Sequence, residues 1–145
     1  MQITFRILTH NSPEYTAMYA LRDDVLLKPV GFIFSAAERA AEAYDFLIGG
    51  FLDDEIIACC ILSPRSNTRI QLRQMAVAKH LQGKNIGTLL LKFAEQLAHE
   101  KGFSTLFMHA RETASGFYKT LNYSVVGDEF TEVGIPHFVM EKSLI

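Results

Sequence analysis

Gln71-Leu72-Arg73-Gln74-Met75-Ala76-Val77, Lys79-His80-Leu81-Gln82-Gly83-Lys84-Asn85 and Ile86-Gly87-Thr88 follow one another almost without a break, and their reading decides the fold. The first run reads as a strand, the second as a glycine-bearing loop, and the third as the start of a helix reaching Gly102. In that helix Ile86, Leu89, Leu90, Phe93 and Leu97 recur at i, i+3, i+4, i+7 and i+11, one apolar face at the helical period. Gly102 stands where a left-handed C-terminal cap is needed, and Lys101 just inside it complements the negative end of the helix dipole.

A helix opens on backbone N–H groups that have no intrahelical partner, and the dipole makes that end attractive to phosphate. Gly83 and Gly87 carry no Cβ, so an anion can approach the backbone there, and Lys84 adds a positive charge. Two readings stay open on these residues: a phosphate site, or an ordinary strand-to-helix turn with a solvated lysine. Residue order excludes one rival. A P-loop runs G-x-x-x-x-G-K-[ST], whereas Gly83-Lys84-Asn85-Ile86-Gly87-Thr88 has its lysine too early, and the dinucleotide fingerprint G-x-G-x-x-G is absent.

At 145 residues, with 49% of them apolar, the chain suits one domain over 1–145 with a substantial core. A formal charge of −2 without a basic cluster argues against a nucleic-acid surface. Cys59 and Cys60 are adjacent in an apolar run; neighbours on a strand point to opposite faces, so they are poor partners for a disulfide. No signal-like N-terminus and no apolar run of about 18 residues is present, from which a cytoplasmic, non-membrane protein is expected. A monomer or a homodimer is expected, with no metal.

The rest of the chain reads as alternating elements. Gln2 to Leu8 is an opening strand. Ser12 caps a helix with Pro13 in its first position, and Tyr15, Met18, Leu21, Val25 and Leu26 face the core. The apolar connector Leu27–Phe34 either packs on the core, the favoured reading, or lines a pocket. Ser35 and Glu38 form a capping box for a short second helix. Asp45–Leu52 and Glu55–Ser63 are a hairpin turning at Asp53-Asp54. Ser104–Ala110 is a strand buried on both faces, joined to the central strand by a right-handed parallel crossover. Thr113 caps a helix over Ala114–Leu121, and Asn122 ends it. Two closing strands, Tyr123–Gly127 and His137–Lys142, flank an acidic loop from Asp128 to Pro136. The sum is an α/β fold with a mixed, mostly antiparallel sheet and helices on both faces.

Three stretches together carry a family likeness. Gln82-Gly83-Lys84-Asn85-Ile86-Gly87 resembles the acetyl-CoA loop [RQ]-x-x-G-x-[GA] of the GNAT acetyltransferase superfamily. Asn85 replaces the commonest glycine, and asparagine tolerates positive φ. Ala114 to Tyr123 resembles the pattern A-x-x-F-Y-x-x-L-G-[FY], with Asn122 for glycine; Arg111 stands where an asparagine is common. Gly127-Asp128-Glu129-Phe130-Thr131-Glu132-Val133-Gly134-Ile135-Pro136-His137 resembles the ending of a subgroup of small bacterial-type members that includes the ElaA-like and YjcF-like proteins.

The resemblance implies a GNAT fold, acetyl-CoA as cofactor, and transfer of acetyl to a primary amine within a ternary complex. It places the cofactor on Met75, Ala76, Val77, Gln82, Gly83, Lys84, Asn85, Ile86, Gly87, Thr88, Arg111 and Tyr118, with oxyanion stabilisation from the backbone at Met75. Tyr118 becomes the general acid that protonates the departing thiolate. Gln71 stands where some members carry a glutamate base and cannot serve, so Glu112, Glu132 and His137 remain as candidate bases. The acceptor pocket is expected between the Leu26–Phe34 connector, the strand bearing Arg73 and the Glu129–His137 run. Arg22 and Arg73 suit an acidic group of the acceptor; Glu129, Glu132 and His137 suit an amine. The alternative is a catalytically weak CoA-binding sensor or interaction module.

Overall fold

The computed structural model describes residues 2–145. Strand β1 (Thr4–Leu8) leads into helix α1 (Pro13–Arg22), whose N-cap Ser12 accepts a hydrogen bond from the Tyr15 N–H at 3.2 Å. The helix does not stop there. It loosens into a π turn (Asp23–Leu27) and a 3₁₀ turn (Lys28–Val30) that ends at Gly31 in the left-handed region, and Pro29 is accommodated in the 3₁₀ turn. Helix α2 (Ala36–Ala41) opens on the expected capping box, the Glu38 N–H donating to Ser35 Oγ and the Ser35 N–H to Glu38 Oε1, both at 3.0 Å.

Strands β2 (Phe46–Leu52), β3 (Glu55–Pro64) and β4 (Arg69–Val77) form an antiparallel meander. Its first turn has φ of 50° at Asp53 and 67° at Asp54, the two left-handed residues that a two-residue hairpin matched to strand twist demands. Helix α3 (Ile86–Glu100) crosses over to β5 (Thr105–Arg111), which pairs parallel with β4. Helix α4 (Ser115–Thr120) precedes the terminal hairpin of β6 (Ser124–Glu132) and β7 (Ile135–Ser143). The single sheet runs β1-β2-β3-β4-β5-β7-β6. Packed against α1 lies one core, with Leu8, Met18, Leu47, Cys59, Ile61 and Ala76; the core with α3 holds Ile48, Cys60, Leu62, Leu72, Ile86 and Leu90. Cys59 and Cys60 thus enter different cores, as strand alternation requires.

Four local expectations are corrected. The buried stripe of α3 is Ile86, Leu90, Leu91, Ala94, Leu97 and Ala98; Leu89 is exposed and Phe93 half-buried, because the face turned to the sheet is centred on Leu90, Leu91, Ala94 and Ala98. Thr113 is no cap. It sits in a 3₁₀ turn (Glu112–Ala114), and the N-cap of α4 is Ala114 with no side-chain bond. The acidic loop is no loop: β6 continues to Glu132 and the reversal is a tight turn at Val133 and Gly134, both with positive φ. β6 is an edge strand, mostly exposed, so it carries no apolar alternation to betray it. Finally, β5 buries Leu106, Met108 and Ala110 but leaves His109 exposed, so one face of it is wet.

Candidate active site

The site originates in a break of the sheet. β4 and β5 pair from Arg69–Thr105 to Leu72–Met108 and no further, although both strands continue. The register of β3 against β4 slips by one residue between Cys59 and Ile61, and Gln74 takes φ of 52° there. A bulge adds an unpaired residue and turns its strand, so the far half of β4 swings away from β5. Into the gap opens a cavity of about 520 Å³.

Its walls come from distant parts of the chain. Leu26, Leu27, Val30, Phe32 and Phe34 line one side, so most of the apolar connector forms a pocket wall, and only Leu27 of these is fully buried. The two sequence readings divide along the segment: Leu26 and Leu27 also pack on the core, as favoured, whereas Val30, Phe32 and Phe34, beyond the π turn, are half-buried and line the cavity. Arg73, Gln74 and Met75 supply the β4 side; Arg111, Tyr118, Glu132 and His137 complete the lining, with Arg111 paired to His137 across β5 and β7. A second cavity of about 540 Å³ adjoins the first through Phe34 and Arg73 and is edged by Glu38, Asp45 and Arg65.

Met75 joins the cavity to the loop that follows β4. The Tyr118 hydroxyl lies 3.9 Å from Met75 Sδ, and a Cβ at Gly87 would lie 3.2 Å from Met75 Cε. Asn85 occupies the N-cap of α3 with φ of 68° and makes no side-chain cap bond. Asparagine therefore does the conformational work glycine would do, and the first-turn N–H groups of Ile86, Gly87 and Thr88 are left uncapped by it. Gly83 has φ of 78° and open space where a Cβ would be. Gln82 braces the loop by donating from Nε2 to the Val77 carbonyl at 3.0 Å. Lys84 is exposed; the Ile86 side chain is core, so only its backbone faces the loop. Bare backbone at a helix start with one lysine beside it is the kind of donor set that receives an anion.

Tyr118 stacks edge-on against Phe117 and Tyr123, and its burial, with Cys60 adding a smaller effect, pushes the phenol up to about 12. It remains protonated at neutral pH. His137 is 4% exposed, with Nδ1 2.7 Å from the Ile135 carbonyl and Nε2 3.7 Å from Glu132 Oε2. The other carboxylate oxygen of Glu132 is 3.1 Å from Nδ1 of His109, a residue absent from the sequence candidates because β5 reads as buried on both faces.

Three site expectations are corrected by position. Arg22 is fully buried, and its two terminal nitrogens donate to the two oxygens of Glu42 at 2.8 Å each, so it is not available to an acceptor. Glu129 is exposed on β6 and Glu112 on the turn after β5; neither lines the cavity. Gln71 accepts from Arg65 Nε at 2.8 Å and is nearly buried. Among the described residues no group of three or more His, Cys, Asp or Glu is placed to hold a metal ion, and no helix is long and apolar enough to cross a membrane.

Known proteins resemble this chain in sequence and in fold. YyaT of Bacillus subtilis (strain 168) is 31% identical over 74 residues, 51% of this chain and 50% of its own length. The chain thus spans about half of that relative. The uncharacterized N-acetyltransferase YitI of the same organism is 31% identical over 106 residues, 68% of this chain and 71% of YitI. A crystal structure from Lactobacillus plantarum superposes with a TM-score of 0.88 at 23% identity over 100% of both chains. Escherichia coli ElaA does so at 0.81 and 21%, over 97% and 99%. The family described as the acetyltransferase (GNAT) domain matches residues 28–144, which takes in the pocket wall from Val30 onward, the splayed strands and the loop after β4, and to that family the chain belongs.

Proposed function

We propose that this chain acts as one domain, an N-acetyltransferase that moves an acetyl group from acetyl-CoA directly to a primary amine bound in the same cavity. One observation carries the reading: the splaying of β4 from β5 sets Tyr118, the bare strand at Met75 and the uncapped start of α3 side by side. Acetyl-CoA supplies the activated acetyl thioester and phosphates suited to the helix start. Residues 82–88 hold the phosphate end, and Met75, Ala76, Val77 and Arg111 lie along the way to it.

His137 is the base this geometry favours over Glu132 or Glu112. A carbonyl only accepts, so the short contact to Ile135 assigns the proton to Nδ1 and leaves the lone pair on Nε2 beside Glu132. A lone pair and a carboxylate converging across 3.7 Å call for a donor between them, and an ammonium group is one. Nε2 takes one proton from the ammonium, and the amine attacks the thioester carbonyl. The negative charge growing on that oxygen meets the backbone N–H at Met75. Tyr118 delivers its proton to sulfur as the C–S bond breaks. Burial disfavours a thiolate as it disfavours the phenolate, which favours return of a proton to the departing sulfur. Arg73, only 24% exposed and making longer contacts to Ser63 Oγ (3.3 Å) and Asp45 (3.5 Å), is placed to meet an acidic group of the acceptor.

The test is thiol release from acetyl-CoA over a panel of small amines and peptides, with the Tyr118→Phe variant beside wild type. A loss of about 100-fold in kcat with acetyl-CoA binding kept is expected. Wild-type protein that binds acetyl-CoA yet releases no thiol with any amine would make it a sensor instead.

A further inference from the structure

Glu132 is held between two imidazoles, and only His137 needs it for the chemistry described. Its carboxylate can only accept, so the 3.1 Å contact puts the His109 proton on Nδ1 and turns the His109 Nε2 lone pair outward. The order is then continuous: Ile135 carbonyl, Nδ1–H of His137, Nε2 of His137, Oε2 and Oε1 of Glu132, Nδ1–H of His109. The Phe130 ring packs against both imidazoles, its centroid 5.2 Å from that of His109 and 5.9 Å from that of His137. Glu132 itself is nearly half exposed, and among the described residues no backbone donor bonds to it to fix its rotamer. His109, on a different strand and at right angles to the Phe130 ring, is what fixes it.

We propose that His109 is a positioning residue: it locks Glu132 beside His137 Nε2, so that the imidazolium formed when His137 deprotonates the acceptor is stabilised in place. The proposal rests on the reading of His137 as base. Per turnover the acceptor ammonium loses two protons. His137 takes the first and releases it to solvent; the second leaves as the C–N bond forms and replaces the one Tyr118 gives to sulfur. Glu132 stays an anion throughout. The charged and titratable groups on the strands beside His109 are Asp128, Glu129 and Glu132 on β6, His137, Glu141 and Lys142 on β7, Arg69 and Arg73 on β4, and Arg111 on its own strand; Glu141 is engaged by Arg69 at 2.9 Å and Lys142 by Glu95 at 3.1 Å.

The experiment compares wild type, His109→Leu and His109→Asn, the last keeping a side-chain N–H near the place of Nδ1. In His109→Leu kcat is expected to fall about tenfold with KM for the amine changed less than about threefold. A less firmly placed carboxylate does less to stabilise the charge formed on His137 during turnover, so the loss falls on kcat rather than on KM. His109→Asn recovers most of kcat. Unchanged kcat in His109→Leu overturns the proposal. Nitrogen-15 imidazole spectra of the free wild-type protein decide it without any turnover. Neutral His109 as the Nδ1–H tautomer, lost in Glu132→Ala, supports it; the Nε2–H tautomer in wild type overturns it. Failure of the proposed function is a different result, wild type releasing no thiol, and it leaves the tautomer readout intact.

Discussion

Replacing Glu42 by glutamine removes one charge from a pair that water does not reach. Arg22 and Glu42 are 0% and 2% exposed, joined by two hydrogen bonds of 2.8 Å, with the Tyr15 hydroxyl donating a third at 2.6 Å to Glu42. Burial pushes the Glu42 carboxyl up, but the bonds from Arg22 and Tyr15 outweigh it and hold it below its ordinary value. Removing one partner of a buried ion pair costs about 3–5 kcal/mol, because the other charge is left unpaired. Unfolding entropy of about 2.1 cal/mol/K per residue amounts to about 0.3 kcal/mol/K for this chain, so Tm should drop by about 10–16 °C at pH 7. A carboxyl with a depressed folded-state pKa stabilises the fold above its unfolded pKa, and that contribution is lost as pH falls through the folded value. The gap between wild type and Glu42→Gln should therefore narrow below about pH 4. Calorimetry from pH 3 to 7 reads both effects, with Arg22→Met/Glu42→Leu as a control expected to be milder than Glu42→Gln alone. A Tm within about 2 °C of wild type at pH 7 would refute the argument, showing that Arg22 finds other solvation.

Two further outcomes follow from the site and the core. Gly87→Ala places a methyl 3.2 Å from the flexible end of Met75, so the fold should hold while Kd for acetyl-CoA, read by titration calorimetry, rises several-fold. An unchanged Kd would mean that no ligand approaches the backbone there. Burial pushes the Cys59 thiol up to about 12 and Cys60 well above its usual value, so neither should react with a disulfide reagent within minutes at pH 8. Two thiols per chain should appear on denaturation, and rapid labelling of the native protein would contradict the burial.

Elements with local causes were legible. Ser12-Pro13 and Ser35 with Glu38 start helices through bonds spanning three residues, and Asp53-Asp54 turns a hairpin through its own φ angles. Asn85 and Asn122 in the left-handed region replace glycine because asparagine tolerates that backbone. Where burial depends on what packs from elsewhere, periodicity misled: the stripe of α3 turned toward Ala94 and Ala98, and β6 hid as a loop because an edge strand has no buried face to alternate with.

By itself the sequence determined the order of strands and helices around the loop at Gln82–Thr88, and with it the family, since those signals reside in neighbouring residues. Tertiary structure alone decided which charges are usable. Arg22 was withdrawn from the cavity by Glu42, twenty residues away, and His109 was drawn to Glu132 across twenty-three. Whether a side chain serves a substrate or the fold depends on the partner that desolvates or neutralises it, and that partner is chosen by the folding of the sheet.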